Sequence, residues 1–153
     1  MALFLVQHGR ARPKSEDPLQ GLSEEGAADA RRIAEVAAHY RVSVSVILHS
    51  GKERAAQTAE ILSAALHPLK GVRQIDGINP MDDAVAFART ARVDQDEMIV
   101  GHLPFLERLM AYLVVGRSDL PIFRMQNGGI VCLDHYPETT RPVIRWALMP
   151  HLG

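Results

Sequence analysis

The chain has 153 residues, 47% of them hydrophobic and 23% charged, with a formal net charge of -1. That length suits one domain with a real core, here taken as residues 1–153, and is short for two ordinary ones. The near-zero charge argues against non-specific nucleic-acid binding, which needs a basic surface. No apolar run approaches the ~20 residues of a membrane span. The N-terminus lacks a basic segment followed by a signal-type apolar core, so the cytoplasm is the expected location. Cys132 is the only cysteine. No intrachain disulfide can form, which fits a reducing compartment. Cys132 lies in an apolar alternation and reads as core rather than as a reactive thiol.

Residues 2–7 are continuously apolar up to Gln7 and end at a turn on Gly9, the pattern of a central strand. Residues 10–22 read as a polar loop. Ser23 is a good N-cap, and Glu24 and Glu25 put negative charge in the first turn of the helix that follows. Ile33, Val36, Ala37 and Tyr40 continue its apolar face. Residues 42–48 are β-branched and alternate with Ser43 and Ser45, which predicts a second strand. Ser50-Gly51-Lys52-Glu53 has the form of a capping box and predicts a second helix starting there, stopping near His67-Pro68. A short third strand over 72–75 follows. A third helix is expected from Asp82 or Asp83 to about Ala91, and a fourth strand over 97–100. Pro104 suits the first turn of a fourth helix, which runs to Gly116. Residues 117–128 read as irregular. Residues 129–133 and 143–148 read as two closing strands with no helix between them. Alternating strands and helices predict a mostly parallel sheet with helices on both faces and one antiparallel edge.

Three strings place chemistry at strand ends: Gln7-His8-Gly9, residues 50–58, and Gly101-His102. The carboxyl ends of the strands in an open α/β sheet form the ligand crevice, so His8, Arg54 and His102 are expected to meet. An unprotonated imidazole can attack phosphorus. Its other ring nitrogen then needs an acceptor to set the tautomer, and a backbone carbonyl in the Gly9 turn would serve. Ser50 and the helix start after it offer free N–H groups to a phosphate. Arg54, one turn in, offers a forked pair of donors. His102 repeats the pattern and would bind a phosphoryl oxygen or stabilise transition-state charge. Each residue taken singly also has a plain structural reading, as a hydrogen-bonded histidine or a solvated arginine; the three together are harder to dismiss. Neither histidine has a carboxylate or cysteine at ligand-like spacing, so no metal is expected. There is no Gly-rich nucleotide loop either.

Together these strings resemble the histidine phosphatase superfamily, the phosphoglycerate-mutase-like proteins, and within it the small SixA-type phosphohistidine phosphatases. The family's strand followed by Arg-His-Gly corresponds to Val6-Gln7-His8-Gly9. Its Leu-Thr/Ser with a glycine three residues on corresponds to Leu22-Ser23-Glu24-Glu25-Gly26. Its Ser-Pro-x-x-Arg-Ala-x-Gln-Thr corresponds to Ser50-Gly51-Lys52-Glu53-Arg54-Ala55-Ala56-Gln57-Thr58, and its Gly-His-x-Pro to Gly101-His102-Leu103-Pro104. The closing strand pair is similar as well.

The resemblance implies a three-layer αβα sandwich, a phosphatase activity without metal or other cofactor, His8 as phosphoryl acceptor, and Arg54 and His102 as its phosphate-binding partners. Gln7, Gly9, Ser50, Arg10 and Arg12 are the candidate substrate-binding residues. Two positions depart from the pattern. Gly51 replaces a proline, which loosens the helix start. Gln7 replaces the motif arginine, and the lost charge-assisted hydrogen bond is worth roughly 1.5–3 kcal/mol. Arg10 or Arg12 in the following loop is a candidate to supply the missing charge. Asp76 is the candidate general acid, since Asp82 and Asp83 are explained as helix-start residues. Only residues 67–71 separate the second helix from the third strand, so no lid is inserted there and the crevice should be open. That favours a phosphate displayed on a protein, such as phosphohistidine, over an enclosed metabolite. The alternatives are a weakened phosphate- or phosphoprotein-binding regulator on the same fold and a phosphatase of small phosphate esters. No nucleic acid or membrane is expected as a partner.

Overall fold

The computed structural model describes residues 1–153. Six strands form one sheet in the order β3-β2-β4-β1-β5-β6. In chain order the elements are β1 (Leu3–Gln7), α1 (Glu24–His39), β2 (Val46–His49), α2 (Glu53–Leu66), β3 (Val72–Gln74), α3 (Ala84–Ala88), β4 (Glu97–Gly101), α4 (Phe105–Val115), β5 (Ile130–Asp134) and β6 (Val143–Leu148). β1, β2, β3 and β4 pair in parallel, whereas β5 runs antiparallel to both β1 and β6. The mostly parallel sheet with one antiparallel edge is the expected architecture.

Alternation along the central strands divides the core into two layers. Phe4, Val6, Ile47, Met98 and Val100 face one way and pack with Ile33, Ala37 and Leu62 of α1 and α2. Leu3, Leu5, Ile99 and Val131 face the other way and pack with Phe105, Leu106 and Leu109 of α4 and Ala84 and Ala88 of α3. Side chains such as Leu3, Leu5 and Ile47 are wholly buried, each contributing about 1.5–3 kcal/mol by leaving water. β1 and β4 are buried on both faces, which is why they read as unbroken apolar runs. Cys132 is buried in the first layer, and burial pushes its thiol up to about 11.

Several boundaries differ from the sequence expectations. β2 starts at Val46, not at residue 42, because α1 ends in a turn in which the Val42 N–H donates to the Ala37 carbonyl. α3 covers only Ala84–Ala88, capped by Asp83, whose side chain accepts from the Ala86 N–H. The capping box at Ser50 does not form. α2 begins at Glu53 after Lys52, which provides no side-chain cap, and the Ser50 hydroxyl is used elsewhere. Gly51 accounts for the shift: its φ of +88° is a left-handed conformation that turns the chain before the helix can start.

Candidate active site

β1 and β4 are neighbours, and Gln7 lies opposite Gly101 in their register. The next residue in each strand is a histidine, so the two imidazoles are brought side by side, 5.0 Å between ring centres. Arg54 enters from the first turn of α2, and its Nε–H donates to His8 Nε2 at 3.3 Å. His8, Arg54 and His102 therefore meet at the carboxyl end of the sheet.

His8 is held in one tautomer. Its Nδ1 lies 2.6 Å from the Gly9 carbonyl, which can only accept, so Nδ1 carries the proton and Nε2 keeps its lone pair. The Gly9 turn thus provides the acceptor expected from the sequence. Burial lowers the His8 pKa; the Gly9 hydrogen bond opposes this, and the Arg54 charge adds to the lowering. The free imidazole is unprotonated near neutral pH, with a nucleophilic nitrogen beside a guanidinium. Burial also lowers the Arg54 pKa.

His102 is only 1% exposed. Its Nε2 lies 2.6 Å from Ser50 Oγ. Ser50 Oγ also accepts, at 3.4 Å, from the Lys52 N–H. The other ring nitrogen, Nδ1, is buried and has no hydrogen-bond partner. An unpaired buried polar group costs about 1–3 kcal/mol. Burial first, then the positive surroundings of His8, Arg54 and Lys52, push the His102 pKa down to about 3. It is neutral, not a cation.

Two motif residues hold the frame. Thr58 Oγ1 accepts from the Gly9 N–H at 2.9 Å and donates to the Arg54 carbonyl at 2.7 Å, tying the His8 turn to α2. Gln57 Oε1 accepts from the Leu22 N–H at 2.7 Å and its amide donates to Glu53. Ser23 caps α1 by accepting from the Gly26 N–H, while its backbone N–H and hydroxyl both donate to the Arg10 carbonyl. Gly26 is required because a Cβ there would run into the Arg10 backbone.

The remaining candidates lie around this centre. Gln7 lines a cleft of about 480 Å³ together with Arg10 and Asn127, and neither imidazole lines it. Its Oε1 is buried and unpaired. Arg10 is exposed and paired with Glu25 at 3.0 Å. Arg12 is exposed in the loop. Asp76 is exposed after β3, while Asp82 accepts from the Asn79 N–H and so closes a turn. No group of three or more His, Cys, Asp or Glu side chains is arranged to hold a metal ion. Sequence reasoning missed Asn127, whose amide donates to the His8 carbonyl at 3.0 Å, and the Gly128 N–H, which donates to the Gln7 carbonyl at 2.8 Å. The Asn-Gly pair, a turn signal within the irregular stretch 117–128, was the available clue.

Comparison with solved structures places the whole chain. The protein histidine phosphatase SixA, complexed with tungstate, superposes with a TM-score of 0.82 at 22% identity over 98% of this chain and 97% of that one. A protein from Agrobacterium tumefaciens assigned provisionally as a SixA phosphohistidine phosphatase gives 0.76 at 26% identity, over 97% of each chain. The α-ribazole phosphatase of Shigella flexneri gives 0.74 at 19% identity, over 100% and 98%. No curated protein matches the chain at a comparable level of significance. The family model of the histidine phosphatase superfamily, branch 1, matches residues 3–82, more than half of the chain and the part that contains His8, Ser50 and Arg54. By that match, and with the phosphoglycerate-mutase-like fold around it, the chain belongs to the histidine phosphatase superfamily.

Proposed function

We propose that the protein is a metal-independent phosphatase working through a phosphohistidine on His8, with protein phosphohistidine or another exposed phosphomonoester as substrate. The observation that carries this reading is the tautomer of His8, with Nδ1–H donating to the Gly9 carbonyl and Nε2 unprotonated beside Arg54. Nε2 forms a bond to phosphorus with its lone pair as the bond to the leaving group breaks. The leaving atom takes a proton, for which Asp76 is the candidate acid. Water then attacks phosphorus, the N–P bond breaks, and inorganic phosphate and free His8 are released. Arg54 binds the phosphoryl oxygens once substrate displaces its bond to Nε2, and His102 donates a hydrogen bond as charge develops. Ser50 positions His102, and the Gly9 turn positions His8.

The open crevice, with no insertion between α2 and β3, favours a phosphate presented by another protein. The fold it shares with the named SixA protein points the same way. Incubation with a phosphohistidine protein should leave an acid-labile phosphate on His8, and p-nitrophenyl phosphate turnover should vanish in His8→Ala and survive chelation with EDTA. Wild-type turnover in His8→Ala would exclude His8 as nucleophile.

A second reading, a phosphate- or phosphoprotein-binding regulator without turnover, is favoured by one observation, the unpaired Gln7 where an arginine is expected. It predicts phosphate binding by calorimetry with no hydrolysis. A third, a small-ester phosphatase, rests on the fold shared with α-ribazole phosphatase. It predicts faster turnover of small phosphate esters than of a phosphohistidine protein.

A further inference from the structure

We propose that Arg124, on the segment between α4 and β5, supplies the anion-binding guanidinium that position 7 lacks, and is a substrate-binding residue for the phosphoryl group received by His8. The inference rests on the phosphatase reading above. Four observations carry it.

Gln7 is too short and uncharged to replace a guanidinium, and its Oε1 is a buried acceptor with no donor. It lines a cleft at the end of β1, and Arg124 lines the same cleft. An arginine on that cleft can present several N–H groups to a phosphate at once, because its five donors spread over a planar fork. Next, the segment carrying Arg124 is pinned to the site. The Asn127 amide donates to the His8 carbonyl, and the Gly128 N–H donates to the Gln7 carbonyl. Arg124 lies three positions before Asn127, at most about 10 Å of extended chain. Between the two, Met125 is buried and its N–H donates to Glu107 at 3.4 Å.

Charge balance then selects among the arginines. Arg10 lines the cleft but is paired with Glu25. Arg12 does not line it. Arg124 takes part in no ion pair and is exposed, so its guanidinium is free to turn toward an anion. Finally, the one acidic side chain lining the cleft, Asp29, is already engaged by Arg32 at 3.2 Å and by His151 at 2.9 Å, which leaves Arg124 without an acidic side-chain partner there.

The test is a double-mutant cycle between positions 7 and 124, read as kcat/KM for p-nitrophenyl phosphate and as inhibition by orthovanadate. Arg124→Ala should lower kcat/KM and weaken vanadate inhibition by ten-fold or more, whereas Arg117→Ala, which removes a distant exposed arginine, should change neither by more than two-fold. Gln7→Arg should recover most of the loss in the Arg124→Ala background and add less than three-fold to the wild type, because one guanidinium fills the place of the other. Arg124→Ala within two-fold of wild type, or the same Gln7→Arg factor in both backgrounds, would overturn the assignment. If the wild type shows no hydrolysis, the phosphatase reading fails separately. Calorimetric binding of inorganic phosphate then decides, with loss in Arg124→Ala and recovery on adding Gln7→Arg expected. Retained binding in Arg124→Ala, or no binding by the wild type, refutes the role of Arg124.

Discussion

At the residue scale the site is governed by where single protons sit. His102 is neutral down to about pH 3, whereas the same imidazole in the unfolded chain titrates near 6.5. Between those values the unfolded chain binds a proton that the folded chain does not, so stability falls as pH drops from about 6.5 toward 3. The fall is at most about 1.4 kcal/mol per pH unit, and about half that after solvent screening through the open crevice. The lowered pKa of His8 acts in the same direction. Urea midpoints measured at pH 7.5, 6 and 5 should fall steadily for the wild type and less for His102→Asn. Equal slopes in the two proteins would mean that His102 is not held neutral. Thr58 offers a second check. Thr58→Val leaves the Gly9 N–H without its acceptor, an unsatisfied buried donor that should lower stability by about 1–3 kcal/mol. Because the Gly9 carbonyl sets the His8 tautomer, kcat should fall as well, and the vanadate inhibition constant should change less.

At the scale of elements, helix starts and glycines decide the local geometry. Proline stands in the family pattern where this chain has Gly51, and restoring it looks like an improvement from sequence alone. The φ of +88° at Gly51 forbids this, since proline is confined near -65°. A side chain there would also meet Gln74. Gly51→Pro is expected to destabilise the fold by about 3 kcal/mol or more and to displace Ser50 from His102, lowering both Tm and turnover. A Gly51→Pro protein as stable as wild type would show that the turn can be rebuilt in the proline conformation. Gly26→Ala tests the packing of the Arg10 backbone on α1 in the same way. Its Cβ meets backbone rather than a flexible side chain, so a loss of Tm with reduced turnover is expected even though alanine is the better helix former. The element-scale lesson concerns Ser50. A capping-box pattern states a local preference, and a nearby histidine that must otherwise bury an unpaired nitrogen competes for the same hydroxyl.

At the scale of the whole molecule, an anion should act as a staple. His8, Arg54 and His102 come from separate elements, so a tetrahedral oxyanion bound among them joins β1, α2 and β4. Tungstate or phosphate at a hundred times its Kd should raise stability by about 2.7 kcal/mol, seen as a concentration-dependent rise in Tm that is lost in Arg54→Ala. No helix is long and apolar enough to cross a membrane.

The order of strands and helices, the antiparallel edge and the three strand-end strings were legible in the sequence. They depend on short-range periodicity and on turn residues, which are local properties of the chain. β6 and the ends of α2 and α4 were likewise close to expectation, because His67 and Gly116 stop those helices in the left-handed conformation. The start of β2, the length of α3 and the true cap of α2 were not legible, since each is set by a competing contact made elsewhere in the fold. The His8 tautomer, the unpaired Nδ1 of His102 and the cleft that Gln7 shares with Arg124 were decided only by tertiary structure. Hydrogen bonds and charges act through distances of a few ångströms between residues that lie 46 to 119 positions apart along the chain, and no local pattern encodes those distances.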